Sequence, residues 1–222
     1  MKWWIFSLLL SLLVILSACT ITGSAVQDAC QDLDDSARDN CYQENLRCSK
    51  IKKADIRDSC VAELAQKKND PKVCALIVGE RTRAYCQEQI AVLQNNHSLC
   101  TDITDSYWKD NCNFHLAVNN SRDVYCSLIG NQEQRASCFT EIAYATNNLL
   151  LCEFLGSEGQ QRCIFTIAVN LEDTRICEQL SASLNRDVCR LKIAKQKGAP
   201  SLCSLIRSGE IKRTCEEFFK NG

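Results

Sequence analysis

Sixteen of the seventeen cysteines fall on one grid. Taken in order they form eight pairs: Cys30 and Cys41, Cys48 and Cys60, Cys74 and Cys86, Cys100 and Cys112, Cys126 and Cys138, Cys152 and Cys163, Cys177 and Cys189, and Cys203 and Cys215. The separation within a pair is 11 or 12 residues; between pairs it is 7 at the first step and 14 at every later one. From Cys48 onward the period is therefore close to 26 residues. Self-similarity of that length argues for a repeat architecture before any single irregular core is considered.

Other positions keep the same register. Three residues after each first cysteine stands an aliphatic: Leu33, Ile51, Ile77, Ile103, Ile129, Leu155, Leu180 or Ile206. Four after the second stand Leu64, Ile90, Leu116, Ile142, Ile167, Ile193 and Phe219, with Asn45 the exception in the first repeat. Ala65, Ala91, Ala117, Ala143, Ala168 and Ala194 follow directly in six of them. Offsets of three and four put these side chains beside their cysteine on one helical face. A strand needs a two-residue alternation, which is missing. Each repeat thus reads as two helices, a short one of about two turns and a longer one such as Thr82 to Gln94. Asp70, Asn96, Asn148 and Asp173 precede first cysteines by four residues and suit N-caps. Pro71 and Pro200 share the next position, where a helix tolerates proline. Gly79-Glu80, Gly130-Asn131, Gly156-Ser157 and Ser208-Gly209 mark the corners.

The corner decides the expected pairing. Cys74 and Cys86 lie evenly about residue 80, so a reversal there brings them together, within the roughly 4.4–6.8 Å between Cα atoms that a bridge requires. The competing pair, Cys86 with Cys100, is joined across the long helix, and a dozen helical residues rise about 18 Å. Eight bridges, each within its own hairpin, are expected. The fold class is all-α: disulfide-stapled helical hairpins repeated about every 26 residues and stacked as an α-solenoid-like array over residues 29–222. The first repeat, residues 29–47, is atypical, with a second helix expected to be about two turns shorter and with acidic residues at Asp28, Asp32, Asp34, Asp35 and Asp39. Phe218-Phe219 is expected to cover the last open face.

The arrangement resembles that of coiled-coil-helix proteins with paired C-x9-C hairpins. The likeness is one of local architecture, two helices stapled by cysteines, and implies neither a function nor a residue role.

Residues 1–18 are different in kind. Lys2 is followed by an apolar run from residue 3 to residue 18, short for a bilayer crossing and suited to an export signal. Leu16-Ser17-Ala18-Cys19 resembles the lipobox of prokaryotic lipoproteins. That resemblance implies cleavage before Cys19 and lipidation of its sulfur with diacylglycerol or a palmitate-type chain, with residues 19–28 as a short tether. Two other readings remain: an uncleaved anchor, or an ordinary cleavage near Gly23-Ser24-Ala25. Removal of residues 1–18 takes away Lys2 and no acid, so 25 basic against 27 acidic residues leave a formal charge of −2. The sixteen remaining cysteines are an even number, as disulfides in an exported protein require.

Charge and motifs narrow the chemistry. A near-neutral balance gives no footing for nucleic acid. The chain has two histidines and no C-x2-C, so no metal site and no cofactor is expected. No nucleophile elbow, P-loop or dinucleotide loop occurs, so no motif points to an enzyme. Arg38, Arg57, Arg83, Lys109, Arg135, Arg186 and Lys212 stand three before a second cysteine, with Gln160 the exception in the sixth repeat. They fit either a binding edge for acidic groups or, at every repeat, contacts to the carbonyls that end the short helix. Asp39, Asp58, Asp110 and Asp187 follow directly in four repeats. Tyr107-Trp108 places an aromatic pair in a corner where other repeats are small and polar, an interaction candidate with Phe114 and Tyr125 nearby in sequence. The expected function is that of a cell-surface or periplasmic lipid-anchored scaffold or protein-interaction module, held to the membrane by its lipid and facing a protein or glycan partner. A purely structural envelope protein is the alternative, with an enzyme or metal-binding protein behind it.

Overall fold

The computed structural model describes residues 28–221. Cys19 and the segment expected to be an export signal lie outside them. The described residues are helical hairpins with no strand among them. All eight bridges form within hairpins, as the spacing predicts, with Cα separations of 5.5–5.9 Å. Hairpins are numbered 1 to 8 below by their bridges. Their long helices are α1 (Asp35–Glu44), α2 (Ala54–Lys68), α3 (Glu80–Leu93), α4 (Ser106–Asn120), α5 (Gln132–Thr146), α6 (Ser157–Asn170), α7 (Ser183–Lys197) and α8 (Gly209–Asn221). The chain divides into two compact bodies, one ending at Cys60 and the other starting at Val61.

In the first body, hairpin 1 has turns in place of a short helix, and α1 follows. Asp34 starts α1, its Oδ1 accepting from the N–H of Ser36 at 3.1 Å and of Ala37 at 2.9 Å. With 10 residues α1 is five shorter than α2. The missing length is thus somewhat over one turn of helix, the rest coming out of the junction before Cys48. Tyr42 is buried, and its hydroxyl donates to Asp28 at 3.0 Å.

In the second body α3 to α7 each pack on the next long helix and on the next short one. Ile90, Leu116, Ile142, Ile167 and Ile193 are fully buried, as are the alanines after them and the Ile or Leu positions of the short helices. Ala117, Ile142, Ala143, Ile167, Ala168 and Ile193 belong to one continuous core that runs from hairpin 4 into hairpin 7. Small alanines let neighbouring backbones approach. They also mark where each long helix ends. Asn69, Asn95, Ser121, Asn147, Glu172 and Gly198 have positive φ, one per junction. The N–H that follows each of them reaches back to the carbonyl of Ala65, Ala91, Ala117, Ala143, Ala168 or Ala194. This is the Schellman closure of a helix, which satisfies an otherwise orphaned carbonyl and turns the chain into the next hairpin.

The short helices differ from the expected two α turns: three are two turns of tighter 3-10 helix and four are shorter. Five of them are 3-10 segments of three to six residues and two are single α turns, Pro71–Cys74 and His97–Thr101. A 12-residue spacing between bridged cysteines leaves no room for more, because the corner and the first turn of the long helix lie inside it. The long helix in hairpin 3 starts at Glu80 rather than Thr82 for the same reason. Asp70, Asn96 and Asn148 are N-caps as expected, while the segment after Asp173 starts later, with Arg175 at its cap; all four accept from the N–H two residues on, at 2.9–3.1 Å. Pro71 and Pro200 occupy first-turn positions.

Candidate interaction surface

The basic register is mainly structural. Arg83 donates to the carbonyl of Ile77 at 3.2 Å, Arg135 to that of Ile129 at 3.0 Å, and Arg186 to that of Leu180 at 2.7 Å. Each carbonyl ends a short helix, so the cation sits where the peptide dipoles favour it. Arg38 pairs with Asp35 and Arg57 with Asp58, so these cations are engaged as well.

The acidic register does something that the spacing alone did not reveal. Asp39 accepts from the backbone N–H of Lys52 at 3.1 Å and of Lys53 at 3.0 Å. Asp110 accepts from Gly130 and Asn131, both at 2.9 Å. Asp187 accepts from Arg207 at 3.1 Å and Ser208 at 2.8 Å. In every case the carboxylate of one hairpin clamps the corner of the following one. Gln161 takes the same part in hairpin 6, its Oε1 accepting from Ser181 N at 2.7 Å. Two N–H donors hold the Asp39 carboxyl below its ordinary value. Burial alone would raise that of Asp187; the N–H groups of Ser208 and Arg207 and the Arg190 guanidinium reverse the sign. The recurrence of an Asp two residues before a second cysteine was the available signal. Its partner is a backbone one repeat away, which side-chain spacing does not name.

The last hairpin carries Arg213 where others carry the clamping Asp, and Lys220 where others carry the buried Ala. Both are exposed. Glu216 and Glu217, also exposed, occupy positions held by Ile164 and Phe165 in hairpin 6. The face that receives a neighbour elsewhere is charged here, as a capping repeat requires. Of the two phenylalanines, Phe219 packs against Ala194, Cys203 and Ile206, while Phe218 stays exposed beneath Lys195 Nζ, 4.6 Å from its ring centre.

Tyr107 and Trp108 part company. Tyr107 is 57% exposed. Trp108 turns inward against the core of hairpins 3 and 4, which includes Ala84, and its ring lies 5.0 Å from that of Tyr85. Ala84 stands at the clamping position of hairpin 3, and Trp108 packs against the cluster that contains it. Phe114 and Tyr125 are half-buried against the core, and Tyr125 stacks on His97 at 4.6 Å.

The two histidines serve different neighbours. His97 Nε2 lies 3.0 Å from Asn113 Oδ1. His115 Nε2 lies 3.8 Å from Glu88, a buried carboxyl that also accepts from Gln89 Nε2 at 2.6 Å. Among the described residues no three His, Cys, Asp or Glu side chains gather to hold a metal ion. Burial raises the Glu88 carboxyl above its ordinary 4.5, against the smaller pull of Gln89 and His115. A raised carboxyl favours the fold fully below its unfolded pKa and loses that contribution as pH climbs through the folded value. Glu88→Gln is therefore expected to raise the melting temperature at pH 7 and to leave it unchanged near pH 4, as calorimetry at both values would measure.

An exposed apolar feature lies on the short helices of hairpins 5 and 6. Two positions, two residues before and two after the first cysteine, face solvent. In hairpin 5 they carry Val124 and Leu128, and in hairpin 6 Leu150 and Phe154, all 50–68% exposed. The neighbours on either side are polar there, Ser98 and Asp102 in hairpin 4, Arg175 and Gln179 in hairpin 7. Phe154 is held from below by Phe139, a buried ring stacked on it at 4.5 Å. Composition gave no hint of this patch, because its four members look like ordinary core residues until the neighbouring bridge orients the short helix.

A cleft of about 420 Å³ lies between Leu171–Arg175 and Lys197 with Leu202. Its cations are engaged: Arg175 chelates Asp173 from 2.6 Å, holding that carboxyl down at about 2, and Lys197 donates to the Glu172 carbonyl at 3.1 Å. The chain matches no protein-family model, no curated protein and no solved structure.

Proposed function

We propose that the chain is a scaffold of the cell surface or periplasm, anchored through a lipid on Cys19, that docks a partner protein on the outward face of hairpins 5 and 6. The observation that carries this reading is that both exposed positions of the register are apolar in hairpins 5 and 6, whereas both are polar in hairpins 4 and 7, and Leu76 and Leu205 stand singly at it in hairpins 3 and 8. Scattered apolar residues are normal on a surface; four at matched positions on successive repeats mark an interaction face. A ring stacked on a buried ring is a rigid anchor, which keeps the entropy cost of binding low. The partner that fits is a polypeptide presenting an apolar, uncharged strip.

The compartment has independent support. Eight bridges need an oxidising, extracytoplasmic environment. Among the described residues no helix is long and apolar enough to cross a membrane. Anchoring through Cys19 is a separate limb of the reading, carried by the lipobox-like Leu16-Ser17-Ala18-Cys19.

Two experiments test the two limbs. Labelled fatty acid fed to the producing cells is expected to enter the wild type and to be absent from Cys19→Ser. Cross-linking in intact membranes, followed by mass spectrometry, is expected to give a defined adduct at hairpins 5 and 6. Leu150→Asp with Phe154→Asp is expected to weaken that complex by about thirtyfold, the consequence of losing an anchor worth about 2 kcal/mol. A complex lost instead on Tyr107→Ala moves the face to hairpin 4. A protein with no adduct at either place is an envelope component without a docking role.

A further inference from the structure

Seven of the eight bridges are sealed. Both cysteines of hairpins 2 to 8 are buried, at no more than 5% exposure. Hairpin 1 differs: Cys30 is buried, whereas Cys41 is partly open to solvent. The apolar cover is missing as well. Leu33, the counterpart of the buried Ile or Leu of the other short segments, is 41% exposed. Asn45 stands where hairpins 2 to 8 place Leu, Ile or Phe.

Asn45 also brings a donor to the sulfurs. Its Nδ2 donates to the carbonyl of Cys41 at 2.8 Å and lies 4.0 Å from both Cys30 Sγ and Cys41 Sγ. One amide hydrogen is used by the carbonyl and the second faces the bridge. Thiol–disulfide exchange proceeds fastest where the attacked sulfur is accessible and the departing thiolate is stabilised. The Cys30–Cys41 bridge fits both conditions: Cys41 is the half that reaches solvent, and Cys30 Sγ departs beside an N–H donor.

We propose that Cys30–Cys41 is an exchange site for a dithiol reductant, with Asn45 as a positioning residue, while the other bridges remain structural. The thiolate of the dithiol attacks Cys41 Sγ. The Cys30–Cys41 bond breaks, its electron pair leaves on Cys30 Sγ, and a mixed disulfide joins Cys41 to the reductant. The second thiol of the reductant then attacks its own sulfur in that mixed disulfide and expels Cys41 as thiolate. The dithiol is oxidised to its disulfide, the bridge is reduced by two electrons, and both protein thiolates take up protons from water. Opening releases the chain ahead of α1 from its covalent tie to that helix, leaving the hydrogen bond of Tyr42 and the ion pair of Arg47, both to Asp28, to hold it. On the lipid-anchored reading the same event lengthens the tether, but the exchange chemistry does not depend on the lipid.

The test uses the full oxidised chain carrying Cys19→Ser, treated natively with limiting dithiothreitol, quenched with iodoacetamide at intervals and mapped by peptide. Cys30 and Cys41 are expected to become alkylated at least about tenfold faster than any other cysteine, with far-UV ellipticity almost unchanged. Alkylation of another pair at the same rate or earlier overturns the proposal. For Asn45, Cys41→Ala in the same background leaves Cys30 as a free thiol whose thiolate absorbance can be titrated. That titration is expected at lower pH than in the same protein with Asn45→Leu, and identical titrations remove Asn45 from the mechanism. Loss of lipid from Cys19 in cells, with the labelling order intact, counts against anchoring alone.

Discussion

Complete reduction of the eight bridges is expected to unfold the chain, with loss of most of its helical ellipticity and a broad, non-cooperative residual signal. Each bridge closes a loop of 11 or 12 residues. In the chain-entropy account a closure of that size contributes about 3 kcal/mol. Typical domains have a net stability of about 5–15 kcal/mol, so a few bridges account for as much as the whole. The packing gives a second reason. A hairpin has no core of its own: the fully buried residues are its two cysteines, one aliphatic on each helix and an alanine shared with the neighbour. Without the bridge the 3-10 segments, held by few hydrogen bonds, have no reason to stay against the long helices. Circular dichroism across a reductant series under denaturant-free conditions measures the effect. A reduced, alkylated chain that keeps native ellipticity and a sharp melt would show that packing alone holds the fold.

Asp110→Ala is expected to be a strongly damaging single substitution, costing about 2–4 kcal/mol. Its carboxylate is almost fully buried and takes two N–H groups of the hairpin 5 corner. Hydrogen bonds to a charged group contribute about 1.5–3 kcal/mol, and removing the acceptor leaves both donors without a partner. The damage should be local as well as global. Amide exchange at Gly130 and Asn131 is expected to accelerate far more than at Asn148, whose N–H is held in the Schellman bond to the carbonyl of Ala143. Asp110→Asn keeps one acceptor oxygen and should recover about half of the loss. A urea midpoint unchanged in Asp110→Ala, with slow exchange at both amides, would deny the clamp its role. The substitution leaves a foldable chain, since Ala84 and Ala136 already hold this register in hairpins 3 and 5.

Much of this architecture is legible in the spacing of one residue type. A disulfide has a narrow geometric range, so a repeated 12-residue separation between helical cysteines admits one local solution, a tight reversal. The caps could be read for a similar reason: Asp70 or Asn148 acts on an N–H two residues away, inside its own sequence neighbourhood. The helix lengths were less accurate. The expected two-turn short α-helices are single turns in hairpins 3 and 4 and 3-10 segments of three to six residues elsewhere, because the bridge limits the space between the cysteines, a three-dimensional limit that pattern alone does not show.

What the sequence determined by itself is everything that depends on short separations: all-helical hairpins, eight bridges within them, the register of the buried aliphatics and the N-caps. What only the tertiary structure decided depends on partners a whole repeat away. The Asp39, Asp110 and Asp187 carboxylates act on backbone of the following hairpin, and backbone N–H groups carry no residue identity to be read in advance. Trp108 turns inward and Tyr107 outward because the neighbouring α3 offers Ala84 and Tyr85 on one side only. Val124, Leu128, Leu150 and Phe154 are exposed by the same cause: the bridge fixes which side of a short helix meets the core, and whatever lies opposite is left to solvent.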